Sequence, residues 1–302
     1  MKSPLPRWLF YTLLAATFWG VWGVITKVAA DAIPPLPNQV LFTLGLVPSA
    51  AWAARGRPWN TTSGATTRGL VWGVASGALA AVGNMAVFAA MSAGGRAAIV
   101  IPLTSVYPIV TVVLAWLFLK ERLNAIQAVG FLIALAAILL LSGETGLLSH
   151  PGEMLGQLAP AKWLLYSLVA MVFWGVFSVT QKVSTNHVSA ELSYLGWCAA
   201  FVPIAILILV AHPSPWTFGS KPVMLAILAG ALNGFGVVAS FAAYRFQGKA
   251  AIVTPIAAAV QPVVTVLLAL VFLGEKVRPV EQFGLALAIV AAVALSWEKR
   301  VA

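Results

Sequence analysis

The sequence predicts an all-α integral membrane protein of ten transmembrane helices, arranged as two inverted five-helix repeats. Three observations predict it. Hydrophobic residues make up 61% of the chain and charged residues only 9%, with a mean hydropathy of +0.96. Apolar runs of roughly bilayer-spanning length, about 20 residues each, recur along the chain. The first half is also written again in the second: FWGVWGVITK (Phe18–Lys27) returns 155 residues later as FWGVFSVTQK (Phe173–Lys182), identical at six of ten positions.

The composition decides the solvent. A soluble domain carries about 45–50% apolar and about 25% charged residues, so this chain has too few charges for a water-facing surface and must use lipid. The net charge of +10 fits Lys and Arg held on the cytoplasmic side of a membrane better than a nucleic-acid surface. The lone cysteine, Cys198, cannot form an intramolecular disulfide and reads as a small buried apolar residue. His150, His187 and His212 all fall between apolar runs. No Cys/His cluster has metal-ligand spacing, so neither a metal nor a cofactor is expected.

Ten spans follow in order, at roughly 8–30, 36–54, 69–93, 96–119, 124–142, 162–183, 191–211, 222–246, 250–273 and 280–297. About 30 residues per span leaves short loops and no soluble domain. The longest gap contains GETGLLSHPGEMLGQLAP, whose Gly and Pro read as a linker. The expected organisation is one repeat over 1–143, a linker over 144–161 and a second repeat over 162–302. Span 1 follows Lys2 and Arg7 as a signal peptide would. Its apolar run is too long for a signal segment, and its sequence recurs in span 6, where no signal could stand.

The duplication extends well beyond ten residues. GGRAAIVIP (94–102) matches QGKAAIVTP (247–255), PIVTVVLAWLFLKE (108–121) matches PVVTVLLALVFLGE (262–275), and AVGFLIALAAILLLS (128–142) matches QFGLALAIVAAVALS (282–296). Five spans is an odd number, so the second copy enters the bilayer from the opposite side. Such inverted repeats suit alternating access around a central site. With the N-terminus inside, twelve Lys and Arg fall on the cytoplasmic side and six outside, which favours both termini in the cytoplasm.

Ten spans in two repeats, an FWG…K first helix in each, and FLKE or FLGE closing each fourth helix resemble the drug/metabolite transporter superfamily, in its tandem EamA-type form. The resemblance covers nearly the whole chain. It implies export or uptake of a small molecule across the inner (plasma) membrane, with bacterial exporters of aromatic or other neutral amino acids closest in layout. Multidrug, organic-cation, sugar and nucleoside transporters of the same fold are the alternatives it leaves. The partners expected are therefore a small-molecule substrate and the lipid bilayer, with no nucleic acid. Spans 5 and 10, almost purely apolar, suit packing or contacts within a homodimer.

The candidate substrate-binding residues begin in the repeated helix. On a helical wheel Trp19, Trp22, Gly23, Thr26 and Lys27 fall within about 140° of one another. Trp174, Phe177, Ser178, Gln181 and Lys182 repeat the stripe in span 6. A packed seam and a cavity wall are both readings of the tryptophans. Lys182 reads as a snorkelling residue at a helix end. Lys27 lies on the disfavoured outer side, four residues before Asp31, where it would either attract a substrate carboxylate or pair with Asp31.

Prolines mark the second feature. Pro102 and Pro108 in span 4 match Pro255 and Pro262 in span 9. A proline inside a helix removes a backbone bond. Interrupted helices at matching places in two halves point to a transport site. Thr104, Tyr107 and Gln261 lie beside these expected kinks. Asn84, Asn233 and Tyr244 in spans 3 and 8 are further cavity candidates. Glu121 and Glu275, at the ends of FLKE and FLGE, suit helix entry and are not assigned to transport. All eight acids fall in loops or near span ends, poor material for the competing class, an intramembrane enzyme.

Overall fold

The structure, a computed structural model, describes residues 6–55, 63–110, 113–114, 124–141, 162–213, 216–246, 250–295 and 297, apart from some side chains within those stretches. Among the described residues there is no strand; besides helical residues at 108–110 and 113–114, the α-helices are α1 (Arg7–Ala30), α2 (Pro35–Gly45), α3 (Val47–Arg55), α4 (Ser63–Ser92), α5 (Ala97–Thr104), α6 (Ala125–Leu141), α7 (Lys162–Thr185), α8 (Ala190–Ala211), α9 (Ser220–Arg245), α10 (Ala250–Phe272) and α11 (Pro279–Leu295). Five helices are long and apolar enough to cross a membrane: Arg7–Ala30, Thr66–Ser92, Lys162–Thr185, Ala190–Ala211 and Ser220–Ala243. The shorter apolar helices include Ala97–Val110, Ala125–Ala137, Ile256–Phe272 and Pro279–Ala294. Large apolar side chains such as Leu132, Leu207, Val210, Val271 and Phe272 stand on the outer surface.

Helix ends follow local chemistry. Asn124 and Gln127 form a reciprocal cap at the start of α6: Gln127 N donates to Asn124 Oδ1 (2.9 Å), and Asn124 N donates to Gln127 Oε1 (3.1 Å). Ser189 caps α8 by accepting from Leu192 N. Pro279 opens α11, and Glu281 reaches back to accept from Arg278 N at 2.7 Å. Gly94, at φ +92°, ends α4, with Gly95 N donating back to Ala90 O.

Two expectations are corrected. The segment expected as one helix over 36–54 is two, α2 and α3, because Pro48 has no N–H to continue the ladder past Leu46. Interruption at both proline pairs was expected, and only the first shows it. α5 stops at Thr104, and residues 105–107 form a turn before Pro108 restarts the helix. There Val106 N donates to Leu103 O, and Tyr107 N to Thr104 O, three residues back. α10 runs unbroken past Pro255 and Pro262. The flanking sequences explain the difference. In α5, Thr104 Oγ1 and Ser105 Oγ both bond carbonyls of the preceding turn and compete with the ladder. The matching stretch of α10, Ala257–Ala258–Ala259, consists of the strongest helix former.

Contacts between ends fix helix directions. Arg7 lies over the Phe246 ring at 5.5 Å and Tyr11 stacks on it at 5.3 Å, so α1 starts where α9 ends. Lys27 Nζ donates to Met91 O and Ser92 Oγ to Ala30 O, so α1 and α4 end together and run parallel. Ser184 Oγ donates to Gly69 O, so α7 ends where α4 begins and runs antiparallel to it. The two copies of the repeated helix, α1 and α7, therefore run in opposite directions.

The core is built by exchange between the halves. α1 packs against α9 and α10, and α7 packs against α4 and α5. Glycines permit each close crossing, and the crossings come in pairs. A Cβ on Gly20 would stand 2.5 Å from Val264 Cβ and 3.1 Å from Gln261 O; a Cβ on Gly175 would stand 2.5 Å from Val110 Cβ and 3.0 Å from Tyr107 O. Gly230 lies under Phe42 O as Gly77 lies under Trp197 O. Each pair is one contact written twice with the halves exchanged. Two bundles result, α1–α2–α9–α10 and α4–α5–α7–α8, each drawing helices from both repeats. Between them lies an aromatic core that includes Trp22, Phe42, Phe88, Tyr194, Trp197 and Phe201.

Candidate functional site

The repeated helices bring their tryptophans to equivalent places. The Trp19 indole fills the space above Gly236, and the Trp174 indole fills the space above Gly83. Trp22 is buried and meets Trp174 at 5.8 Å between ring centroids, joining the two bundles near their centre. Gly23 lets α1 press against Ile101 of α5 and Thr265 of α10. Thr265 Oγ1 donates to Gly20 O at 2.9 Å and Gln261 O at 3.2 Å. Gln261 and Asn233 are buried, while Tyr107, Trp174 and Gln181 are half-buried. The Thr104 hydroxyl donates to Val100 O and Ile101 O of its own helix. The side chains of Tyr244, Lys182 and Pro255, and all of Glu121, lie outside the described residues.

Of the two roles weighed for Lys27, the pair is formed. Its Nζ donates to Asp31 Oδ1 at 2.6 Å and to Met91 O at 3.2 Å. That tie fixes the end of α1 against the end of α4.

Among the described residues, several buried side-chain atoms have no hydrogen-bond partner. They are Trp22 Nε1, Thr26 Oγ1, Asn38 Nδ2, both polar atoms of Gln39, Asn84 Nδ2 and Trp197 Nε1. Within lipid such groups have no bulk water to turn to. Three of their residues, Asn38, Gln39 and Trp197, escaped the sequence reading. The available signal was the amide pair four residues into α2, just past the PPLP that opens it.

One end of the molecule is closed by charges that cross the repeat boundary. Glu275, following α10, accepts from Ala97 N at 2.9 Å and Ala98 N at 2.8 Å, capping α5. An acidic group at a helix entry was expected; the helix entered belongs to the other repeat. Arg96 also binds the buried carboxylate of Glu281 and the carbonyl of Lys276, and Arg278 joins Glu281 at 3.0 Å. A separate groove of about 400 Å3 runs between α1, α9 and α10. Its walls are apolar, apart from Lys221, and it is not the polar site.

The family model of the EamA-like transporter family matches residues 6–143 and again residues 161–297. The chain belongs to that family, and its fold and apolar helices are those of a multi-pass membrane transporter. Over 130 residues it is 30% identical to an uncharacterized protein of Methanocaldococcus jannaschii, an alignment covering 43% of this chain and 92% of that one. A crystal structure of a protein superposes with a TM-score of 0.62 at 22% identity, covering 96% of each chain. At that identity the likeness is one of fold.

Proposed function

We propose that the chain is a ten-span secondary transporter that moves a small, partly apolar metabolite, a neutral or aromatic amino acid, across the plasma membrane by alternating access, chiefly outward. The observation that carries the reading is the exchange of crossings between halves. Gly20 against Val264 has its twin in Gly175 against Val110, and Trp19 over Gly236 its twin in Trp174 over Gly83. A pair of bundles related in this way can trade conformations, so that a state open on one face implies a state of similar energy open on the other. The site lies between them, around Trp19, Trp22, Trp174, Asn84 and Gln261, with Tyr107, Gln181 and Asn233 nearby. Indole faces suit an apolar side chain, and amides read polar groups without imposing charge.

The test is counterflow in proteoliposomes loaded with unlabelled phenylalanine, leucine, uridine or choline. Saturable uptake of labelled amino acid only into amino-acid-loaded vesicles is expected. Counterflow confined to uridine or choline would overturn the substrate class, and no counterflow of any would overturn the transporter reading. On this reading both termini lie in the cytoplasm, on the side where most Lys and Arg fall. With Cys198 replaced by alanine, Ala32→Cys should label from outside and Asn186→Cys only after permeabilisation; labelling of both from one face would defeat that topology.

A further inference from the structure

We infer that the binding site is polarised: spans of the first repeat hold a carboxylate of the ligand. The inference rests on the transporter reading above and assigns the chemistry of that same site.

Five residues carry it: Trp22 and Thr26 on α1, Asn38 and Gln39 on α2, and Asn84 on α4. Each is at least 98% buried, and each has a side-chain polar atom without a partner. They lie on faces that the structure turns toward one another. On α4, Asn84, Phe88 and Met91 share a face at helical spacing. Phe88 meets Phe42 of α2 at 5.7 Å, and the Met91 carbonyl takes Lys27 of α1. That face therefore looks at α1 and α2 together. Gln39 lies one turn from Phe42, toward the same end as Met91. Trp22 lies one turn from Thr26, on the side of α1 that meets Trp174, and Trp174 in turn covers Gly83, the neighbour of Asn84.

Most of the atoms share one sign. Trp22 Nε1, Asn38 Nδ2, Gln39 Nε2 and Asn84 Nδ2 are all N–H donors, the Thr26 hydroxyl can donate, and Gln39 Oε1 alone is an obligate acceptor. Four to five donors ask for a ligand rich in acceptors. A carboxylate offers two oxygens with about four lone-pair directions, and hydrogen bonds to a charged acceptor are the stronger kind. Lys27, one residue beyond Thr26, is already committed to Asp31 and the Met91 carbonyl and is not counted among these donors.

The second repeat reproduces this set only in part: the counterpart of Thr26 is Gln181, half-buried and still polar. In the register that pairs Trp19 with Trp174 and Gly83 with Gly236, the counterpart of Trp22 is Phe177 and that of Asn84 is Val237, neither able to hydrogen-bond through its side chain. The counterparts of Asn38 and Gln39 are Ser193 and Tyr194. Ser193 Oγ already pairs with Ser184 Oγ at 2.7 Å, and Tyr194 OH with Ser49 Oγ at 2.6 Å. Trp197 Nε1, the remaining unpartnered atom, is the one such donor from the second repeat; Trp197 stacks with Tyr194 and Phe201 in the same aromatic core. The packing has a pseudo-twofold, but the donors do not.

The test uses full-length protein in detergent and in liposomes, with three probes that share a phenylethyl group: 3-phenylpropionate (carboxylate only), phenylethylamine (amine only) and 3-phenylpropanamide (a neutral amide). Binding is read by thermal shift and by tryptophan fluorescence, independently of flux. 3-Phenylpropionate is expected to bind about tenfold or more tightly than the amine and the amide. Asn84→Asp, similar in size but negatively charged, should abolish that preference, and so should Asn84→Leu. Because the Asn84 donor has no partner to lose, Asn84→Leu should fold at wild-type yield with an unchanged or higher unfolding midpoint. Equal binding of all three probes, or an undiminished carboxylate preference in Asn84→Asp, would overturn the inference even if amino acids are transported. Carboxylate binding without any counterflow would leave the polarised site standing and defeat the transporter reading alone.

Discussion

Glu275 and Ala97 belong to different repeats, yet the carboxylate of the first caps the helix that begins at the second. Oε1 accepts from Ala97 N and Oε2 from Ala98 N. The helix so capped, α5, has no side-chain cap of its own, since the N-cap Arg96 makes no such bond. A helix entry leaves four N–H groups without partners, and a carboxylate answers both the missing bonds and the helix dipole. Replacing Glu275 with alanine should cost about 1 kcal/mol or somewhat more, within the range of lost N-caps. The unfolding midpoint in detergent should fall in the order wild type, Glu275→Gln, Glu275→Ala. An unchanged midpoint in the alanine variant would show that the cap does not hold α5.

Glycines at the crossings should divide into two kinds. Gly230 lies directly beneath Phe42 O, and Gly45 beneath Ile227 O, where the obstacle to a Cβ is backbone. Backbone cannot rotate aside, so α2 and α9 would have to separate. Gly94 has nothing within 4 Å of a built Cβ, and only its φ of +92° resists a side chain. Gly230→Ala should therefore lose most monodisperse protein on size exclusion. Gly94→Ala should fold normally, at about 1 kcal/mol lower stability. Comparable yields for both would mean that the crossing can relax.

The architecture was legible because two periodicities are strong: apolar runs of spanning length, and a repeat that places FWG…K at both Phe18 and Phe173. The partnership of the halves was not. Nothing in either Gly20 or Val264 names the other, since a close crossing needs only a missing Cβ and a surface to meet it. For the same reason Glu275 could be recognised as a helix-entry residue while its helix, α5, could not. The proline rule misled at Pro255 and Pro262 because a proline removes one bond but does not decide whether the helix continues. The flanking residues decide, alanines in α10 and hydroxyls in α5. In the candidate site, indoles and mid-helix amides announced themselves. Asn38 and Gln39 did not, because amides near a helix entry ordinarily read as solvated.

Energy coupling gives the last prediction. A carrier driven by protons needs a group inside the membrane that changes charge as it binds one, commonly a carboxylate or a histidine. In the sequence, the eight acids fall between the apolar runs or near their ends, and the three histidines fall between those runs. Of the four described acids, Asp31 pairs with Lys27, Glu275 caps α5, Glu281 is held by Arg96 and Arg278, and Glu191 stands in the first turn of α8, at the end of that helix. The first two have structural work to do, and releasing Glu281 would leave two guanidinium groups without their acceptor. The site described above consists of amides, indoles and a hydroxyl, none of which titrates in the physiological range. Transport should therefore run down the substrate gradient or by exchange, venting surplus product rather than concentrating it. Sealed proteoliposomes given a pH gradient, with equal substrate on both sides, should show no net accumulation. Concentrative uptake abolished by a protonophore would refute this, and Lys27→Gln and Asp31→Asn would then be the first variants to compare, because their ion pair stands nearest to the unpartnered donors of α1.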